Sequence, residues 1–230
     1  MFYIRLKSNN PYYNLATEEC LLQKACNQFI LVWQNDNAVV IGKNQDKNVE
    51  VDMEYALEND IKIARRMTGG GAVYHDLGNV NFSFILPLGE SYISDSVAFI
   101  ISMLKGYGID AQKSGRNDLC VNDKKICGMA MAEMGEYQLL HGTLMYQVNM
   151  EVLEKVLTPE MSKLQRHGIK SVKNRVANIK EIVNKEEDTD AFISFIEKYI
   201  KREMKVQEYI FTDEERNEIQ ERSRYIRANS

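Results

Sequence analysis

One stretch of the chain combines the residue types that bind anions. Two arginines, Arg65 and Arg66, precede three consecutive glycines at positions 69–71, and the stretch ends in His75-Asp76. Glycine lets a backbone approach a ligand closely, successive backbone N–H groups can form an anion nest, and arginine adds fork-shaped donors. The pattern therefore indicates either a phosphate site or a glycine-rich turn with solvated arginines, and residues elsewhere must decide between the two.

Composition narrows the classes of protein. The chain has 230 residues, is 44% hydrophobic and carries a net charge of -4, which fits one large domain or two small ones and argues against a general nucleic-acid binder. No apolar run is long enough to cross a bilayer, and the N-terminal residues lack the basic and apolar segments of a signal peptide. We therefore expect a cytoplasmic protein with neither nucleic-acid nor membrane partners. Its four cysteines lack CxxC spacing, and its three histidines lack a zinc-binding pattern.

The first half of the chain reads mainly as strands. A short strand is predicted at residues 2–6, and Asn10-Pro11 predicts the start of a helix over 12–25. Apolar runs at 29–34 and 38–42, separated by three polar residues, predict a β-hairpin.

The rest of the chain moves from strands to helices. Residues 80–86 alternate as in a half-buried strand, an amphipathic helix is predicted over 91–105, and Asn122-Asp123 marks a turn between extended arms. A strand is predicted over 139–148. Helices are predicted over 151–157, 174–183, 190–204 and 213–227. Without regular βαβ alternation, this order favours an α+β fold.

The ordered motifs resemble those of the lipoate–protein ligase family. The principal motif is Arg65-Arg66-x-Thr68-Gly69-Gly70-Gly71-Ala72-Val73-Tyr74-His75-Asp76-x-Gly78-Asn79. Further matching tracts are Asn14-Leu15-Ala16-x-Glu18-Glu19, Ser114-Gly115-Arg116-Asn117-Asp118, Lys125-Ile126-x-Gly128, His141-Gly142-Thr143-Leu144, and Gly168-Ile169-x-Ser171-Val172-Lys173-x-Arg175-Val176-x-Asn178. Each tract alone is weak, whereas the ordered set is specific and covers nearly the whole chain.

The resemblance implies a fold and an activity. The fold would be a mixed, mostly antiparallel sheet flanked by helices, like those of class II aminoacyl-tRNA synthetases and biotin–lipoate ligases. A single catalytic domain would span residues 1–230, without the C-terminal accessory domain that many relatives carry. The activity would use ATP and Mg²⁺ to convert lipoate to lipoyl-AMP, and would then pass the lipoyl group to a lysine of a lipoyl domain. The acceptor would belong to a 2-oxoacid dehydrogenase subunit or be the glycine-cleavage carrier protein, and a separate polypeptide is one candidate source of the accessory domain.

The same resemblance assigns catalytic roles. Lys125 matches the family's catalytic lysine, expected between the acyl carbonyl oxygen and the adenylate phosphate, and Arg66 matches an arginine facing the activated carboxylate. Arg65 either shares that role or lies on the surface. Asp118 either binds magnesium, which usually takes one or two carboxylates, or simply forms a turn.

The resemblance also implies two groups of binding residues. The nucleotide and lipoyl-adenylate group comprises Gly69, Gly70, Gly71, Ala72, Val73, Tyr74, His75, Asn81 and Asn117. The lipoate pocket group comprises Trp33, Thr68, Gly128 and His141. Two members have a plain structural alternative: Trp33 as a core aromatic residue, and His141 as a hydrogen-bonded core residue.

Several features depart from the family or extend it. Ala132 stands where several relatives have an arginine, and Leu140 replaces a histidine, so lipoate contacts there are in doubt. An alternative is an octanoyl or lipoyl acyltransferase with a cysteine nucleophile, for which Cys120 and Cys127 are the nearest candidates; another is a non-catalytic lipoate-binding subunit.

A basic tract, which we expect to steer an acidic acceptor domain, comprises Lys163, Arg166, Lys170, Lys173, Arg175 and Lys180.

Overall fold

The structure of the chain, a computed structural model, describes residues 1–158 and 175–230. The strands are Phe2–Arg5 (β1), Phe29–Trp33 (β2), Ala38–Ile41 (β3), Lys62–Arg65 (β4), Val73–His75 (β5), Asn79–Pro87 (β6), Gln112–Ser114 (β7), Asp118–Val121 (β8), Lys124–Met134 (β9), Tyr137–Met145 (β10) and Gln207–Glu208 (β11). The helices are Pro11–Gln23 (α1), Lys47–Glu50 (α2), Met53–Glu58 (α3), Glu90–Tyr107 (α4), Met150–Val156 (α5), Ile179–Val183 (α6), Thr189–Glu203 (α7) and Asp213–Ala228 (α8).

The strands form two sheets. The larger has eight strands in the order β11-β1-β2-β6-β10-β9-β8-β7, and the smaller has the order β4-β3-β5. In the larger sheet β1 pairs in parallel with β2 and β11, and the other pairs are antiparallel. The predicted α+β class, with a mixed and mostly antiparallel sheet flanked by helices, is confirmed.

The predicted hairpin of β2 and β3 is wrong. β2 pairs with β1 and β6 in the large sheet, whereas β3 pairs with β4 and β5 in the small one. Both strands are buried along their whole length, so their apolar runs indicate strands without specifying partners. The polar residues between them carry the chain from one sheet to the other, and Asn37 there adopts a φ of +48° and donates to the Asn59 carbonyl at 2.8 Å.

The prediction that β6 is half-buried is also wrong, because helices cover both faces of the sheet. Phe84 packs in a core cluster with Ile100 of α4 and Ile196 of α7. Ile85, which points to the opposite face, packs with Leu15 of α1 and Ile219 of α8. The polar residues that suggested a solvent-facing side, at positions 81 and 83, are themselves buried and contribute to the site described below.

Local signals in the sequence placed other elements well. The Asn10 side chain accepts a hydrogen bond from the Tyr12 N–H at 3.0 Å, and Pro11 occupies the first turn of α1. Asn122 and Asp123 both have positive φ, as a two-residue hairpin turn between β8 and β9 requires. The predicted helix over 174–183 is too long at its start, because α6 begins only at Ile179.

Part of the predicted basic tract cannot be placed. Lys163, Arg166, Lys170 and Lys173 lie outside the described residues, as does His167. Within residues 1–158 and 175–230, no helix combines the length and the apolar character needed to cross a membrane.

Candidate active site

A cavity of about 560 Å³ is lined by residues of the small sheet, from β3 and β5, and of the large sheet, from β2, β6, β8, β9 and β10. This volume falls within the range of small-molecule sites. The predicted site residues that line it are Trp33, Arg66, Gly70, Gly71, Ala72, Val73, Tyr74, His75, Asn81, Asn117, Asp118, Lys125, Gly128 and His141. Residues from distant parts of the sequence thus share one cavity.

Arg66 organises one side of the cavity, which we call the glycine-rich wall (residues 66–73). Its Nη2 donates to the carbonyls of Gly69 at 2.7 Å and Gly71 at 2.8 Å, and its Nη1 donates to the Val40 carbonyl at 2.9 Å. Its Nε donates to the Thr68 hydroxyl at 3.0 Å. Burial lowers the pKa of Arg66 to about 10, so the guanidinium is still charged near neutral pH. The arginine therefore fixes the loop through its carbonyl oxygens.

Only one of the three consecutive glycines is required by its backbone conformation. Gly70 has a φ of +95°, and its carbonyl fits so closely against Gly42 that a Cβ on Gly42 would lie 2.2 Å from the oxygen. Gly69 and Gly71 have neither a positive φ nor any atom within 4 Å of the place that a Cβ would take. Because the carbonyls of Gly69 and Gly71 point at Arg66, the loop is not simply the nest of inward N–H groups that its composition indicated.

Three predicted or considered residues do not line the cavity. Gly69 and Thr68 belong to the glycine-rich wall without lining the cavity; Gly69 is exposed to solvent, and Thr68 is only 1% exposed. Arg65 donates through Nη1 to the carbonyls of Gly42 and Gln45, at 3.1 and 2.7 Å. The second arginine of the motif therefore supports a neighbouring loop.

Lys125 belongs to a second group of cavity-lining residues, which we call the lysine wall (Asn117, Asp118, Lys125, Gly128 and Arg175). Its Nζ lies 2.8 Å from Asp118 Oδ1, and both side chains are largely covered, at 25% and 21% exposed. Arg175 Nη2 lies 3.5 Å from the other carboxylate oxygen of Asp118. A Cβ on Gly128 would lie 2.7 Å from Lys125 Nζ, so this glycine gives the ammonium group its space.

Arg175 stands in one of the family-like motifs, but its only expected role was in the basic tract. The backbone shows why it is near the site: the Lys125 N–H donates to the Arg175 carbonyl at 2.8 Å, and the Ala177 N–H donates to the Lys125 carbonyl at 3.0 Å. Residues 175–177 thus run beside the start of β9. Because Arg175 is far from Lys125 along the chain, spacing alone carried no signal of this contact.

His75 is held as a neutral ring. Burial, together with the charge of Arg66 and the nearby His141, lowers the pKa of His75 to about 3. Asn14 Nδ2 donates to Asn35 Oδ1, which turns Asn35 Nδ2 toward His75 Nδ1 at 3.1 Å. Nδ1 is therefore the acceptor, and the ring proton resides on Nε2.

Two cavity-lining side chains carry buried donors without partners among the described residues. These atoms are His75 Nε2 and Asn81 Nδ2. The amide oxygen of Asn81 is already used, because it accepts from Asn79 Nδ2 at 3.0 Å. An unsatisfied buried donor costs about 1–3 kcal/mol, so a ligand with acceptor atoms here would recover that cost.

The two open interpretations of Trp33 and His141 are compatible. Both residues line the cavity, and both are buried and hydrogen-bonded in the core. The indole Nε1 of Trp33 donates to Ser83 Oγ at 2.8 Å, and His141 Nδ1 lies 3.0 Å from Glu18 Oε1. Each residue therefore presents one edge to the cavity and one to the protein interior.

The cysteines do not contribute to the cavity. All four lie within the described residues, and none lines it. Cys127 is fully buried, and burial raises the pKa of its thiol to about 12, so it is not a thiolate near neutral pH. The geometry gives no support to a cysteine nucleophile.

Comparison with known proteins identifies the family. Residues 10–201 match the family model of the lipoyl protein ligase A/B catalytic domain. A curated relative, lipoate-protein ligase A of Psychrobacter cryohalolentis, is 42% identical over 195 residues, which are 83% of this chain and 58% of the relative. The chain therefore spans little more than half of that relative's length.

Solved structures of lipoate ligases have a similar fold. The chain is similar to one from a study of a bipartite lipoate protein ligase and its E2 lipoyl domain from Thermoplasma acidophilum, with a TM-score of 0.82 and 26% identity, covering 99% of this chain and 92% of that one. It is also similar to a lipoate-protein ligase A bound with ATP, with a TM-score of 0.84 and 25% identity, covering 100% of this chain and 96% of that one.

Proposed function

Because the chain belongs to the lipoyl protein ligase A/B catalytic domain family, we propose that it is an ATP-dependent lipoate–protein ligase. The observation that carries the proposal is that Lys125 and Arg66, which are 59 residues apart in the sequence, line one cavity. The relatives named as lipoate ligases and the ATP-bound structure support lipoate and ATP as the substrates.

The first proposed step makes an activated acid. A carboxylate oxygen of lipoate attacks the α-phosphorus of ATP, a phosphorus–oxygen bond forms, and the bond to the departing pyrophosphate breaks. Negative charge on the phosphate and acyl oxygens needs fixed donors, because these are most effective when aimed in advance at the developing charge. The Lys125 ammonium supplies three donors on a flexible stem. Arg66 supplies a fixed charge, since most of its N–H groups hold the glycine-rich wall.

The second proposed step transfers the acyl group. The amine of an acceptor lysine attacks the carbonyl carbon of lipoyl-AMP, an amide bond forms, the carbon–oxygen bond to AMP breaks, and the amine loses a proton. Lys125 again faces the carbonyl oxygen that gains charge. The T. acidophilum ligase studied with its E2 lipoyl domain supports a lipoyl domain as the acceptor class. The acceptor is the lipoyl domain of a 2-oxoacid dehydrogenase subunit or the glycine-cleavage carrier protein, and the assay below is run with each of them.

The described part of the site offers magnesium carboxylate oxygens but not a cage made of protein ligands alone. Among the residues that the structure describes, no group of three His, Cys, Asp or Glu side chains is placed to hold a metal ion. Magnesium is, however, commonly held by one or two carboxylates together with substrate phosphates. Asp118 would supply that carboxylate, and the ion would neutralise phosphate charge. Use of ATP also fits the cytoplasmic location expected from the sequence.

The nucleotide is expected against the glycine-rich wall. The unpartnered donors of His75 and Asn81 would pair with acceptor atoms of the adenylate. The buried apolar residues of the cavity lining, including Leu15, Val40 and Trp33, would contact the lipoyl chain.

A two-arm assay tests the function. In the first arm the protein is incubated with lipoate, ATP, Mg²⁺ and a lipoyl domain. In the second, lipoyl-AMP replaces lipoate and ATP, which bypasses any need for a separate accessory polypeptide. Modification in at least the second arm, lost in Lys125→Ala and kept in Lys124→Ala, is the expected result. Absence of modification in both arms, or transfer only from an acylated carrier protein, would refute it.

A further inference from the structure

A continuous chain of buried hydrogen bonds connects helix α1 to Arg66. The Glu18 carboxylate lies 3.0 Å from His141 Nδ1. The other ring nitrogen, His141 Nε2, lies 2.9 Å from the Thr68 hydroxyl oxygen. That oxygen accepts a hydrogen bond from Arg66 Nε at 3.0 Å. All four side chains are at most 7% exposed. We call this set (Glu18, His141, Thr68 and Arg66) the Glu18 chain.

Counting protons fixes the direction of every bond. Arg66 Nε is always a donor, so the Thr68 oxygen accepts from it. The Thr68 hydroxyl proton has one remaining neighbour in the chain, His141 Nε2, which must then accept. His141 consequently carries its proton on Nδ1 and donates it to Glu18, whose carboxylate accepts. This arrangement gives every donor and acceptor that the four side chains share a hydrogen-bond partner. It requires an ionised carboxylate at one end and a guanidinium at the other.

Glu18 has no place in the cavity itself. It does not line it, and it is 1% exposed in the middle of α1. Its Oε1, the oxygen that lies 3.0 Å from His141 Nδ1, also accepts a hydrogen bond from Ser83 Oγ at 2.5 Å. Burying a carboxylate is costly unless it is paired and hydrogen-bonded. The side chain therefore serves a purpose that an apolar residue could not serve.

We propose that Glu18 is a positioning residue for Arg66: through the Nδ1–H tautomer of His141 and the hydroxyl of Thr68, it sets the orientation of the guanidinium that holds the glycine-rich wall. The inference rests on the proposed function, since Arg66 matters here as a donor toward an adenylate. It explains why Thr68 contributes to the site without lining the cavity. It also gives His141 a second role, in which the ring orients another residue.

The neighbouring residue provides a matched control. Glu19 is also a buried glutamate of α1, but its carboxylate pairs with Arg222 of α8 and not with the site. Glu19→Gln replaces a buried carboxylate of the same helix with an amide, as Glu18→Gln does. Any effect that Glu18→Gln shows and Glu19→Gln lacks is therefore specific to the contacts of Glu18, and Thr68→Val separates the link to Arg66 from the contact with Ser83.

The first measurement is independent of activity. With ¹⁵N-labelled histidine, the tautomer of each of the chain's three histidines can be read from its ring nitrogen shifts. We expect His141 to be the Nδ1–H tautomer in the wild type and in Glu19→Gln. Both carboxylate oxygens of Glu18 lie near His141 Nδ1, at 3.0 and 3.1 Å, and Glu18→Gln turns one of them into a donor. The remaining amide oxygen can still accept from Nδ1–H, but the negative charge beside the ring is lost. We therefore expect the ring nitrogen shifts of His141 to change in Glu18→Gln and to stay as in the wild type in Glu19→Gln. An Nε2–H tautomer in the wild type, or His141 shifts that are unaltered in Glu18→Gln, would overturn the proposal.

The second measurement is single-turnover transfer from lipoyl-AMP to a lipoyl domain. We expect Glu18→Gln to lower the rate about 10- to 100-fold, the range found when an outer partner of a metal-binding histidine is removed, with the lipoyl-AMP concentration for half-maximal rate changed less than about threefold. Should Glu18→Gln not fold, Thr68→Val tests the same link: it removes the hydroxyl and is expected to be slowed similarly, whereas Thr68→Ser restores most of the rate. An inactive wild type would refute the proposed function, while an active wild type matched by Glu18→Gln and Thr68→Val would refute the positioning role alone.

Discussion

The two walls of the cavity hold positive charge in opposite ways. In the glycine-rich wall, Arg66 is 7% exposed and donates to three backbone carbonyls and a hydroxyl. In the lysine wall, Lys125 is 25% exposed and its ammonium contacts one carboxylate, that of Asp118. We propose that this difference separates two tasks: the arginine gives the site its shape, and the lysine keeps a charge that can move from Asp118 to a ligand.

The largest expected effect concerns the glycine-rich wall. Arg66→Met would leave the carbonyls of Val40, Gly69 and Gly71 without their donor, and should lower the free energy of unfolding by about 3–5 kcal/mol. Urea denaturation measures this. Arg65→Met is the matched control, and because Arg65 is only partly buried, its loss should be about 1 kcal/mol. Equal losses in the two variants would show that Arg66 has no special structural role.

The second largest expected effect concerns the lysine wall. Lys125→Ala should lower the rate of transfer from lipoyl-AMP by roughly 10²–10³, which is the effect of removing one preorganised donor. The free energy of unfolding should change by less than about 1 kcal/mol, because the side chain is a partly exposed partner in one ion pair. Lys124, adjacent but exposed at the hairpin turn, should tolerate alanine without loss of rate. A large drop in stability in Lys125→Ala would contradict the division of tasks.

A pH titration addresses the neutral histidine beside the glycine-rich wall. The folded pKa of His75 is about 3, against an ordinary histidine value of 6.5, so below pH 6.5 the unfolded chain binds a proton that the folded chain does not. Stability must therefore fall as pH falls through this window. Between about pH 6 and pH 4 the wild type should lose about 2 kcal/mol more than His75→Asn, because only the wild type has this histidine. Parallel curves for the two proteins would mean that His75 binds a proton as readily in the folded chain as in the unfolded chain.

The smallest effect concerns the space around Lys125. A Cβ in Gly128→Ala would lie 2.7 Å from Nζ, and the flexible lysine can yield by moving its end. We therefore expect a normal fold and about a tenfold slower transfer, measured in single turnover. In the Lys125→Ala background the same substitution should have no further effect; additive losses would show that Gly128 acts independently of Lys125.

Sequence signals predicted the contents of the cavity better than its internal contacts. Short motifs named Lys125, Asp118 and His75, which all line one cavity, because a binding site requires particular residue types in particular local turns. The bond from Arg66 to the Val40 carbonyl was not predictable, because Val40 lies 26 residues away on a different strand.

Strand pairing was the main failure in the fold. The buried strands β2 and β3 have nearly uniform apolar faces, and such runs contain no alternation that could identify a partner. The same limitation hid Glu18: its position in a helical motif was visible, but its contact with His141 spans 123 residues. Long-range polar contacts are set by how helices cover a sheet, which a local pattern does not encode.

The central claim is that Lys125 leaves Asp118 to contact an acyl-adenylate while Arg66 stays in place. A crystal structure with a non-hydrolysable lipoyl-adenylate analogue tests this most directly. We predict that Lys125 Nζ lies within hydrogen-bond distance of the acyl oxygen, and that Arg66 keeps its bonds to Gly69 and Gly71. A ligand bound outside the cavity, or an Arg66 that has released the glycine-rich wall, would contradict the account.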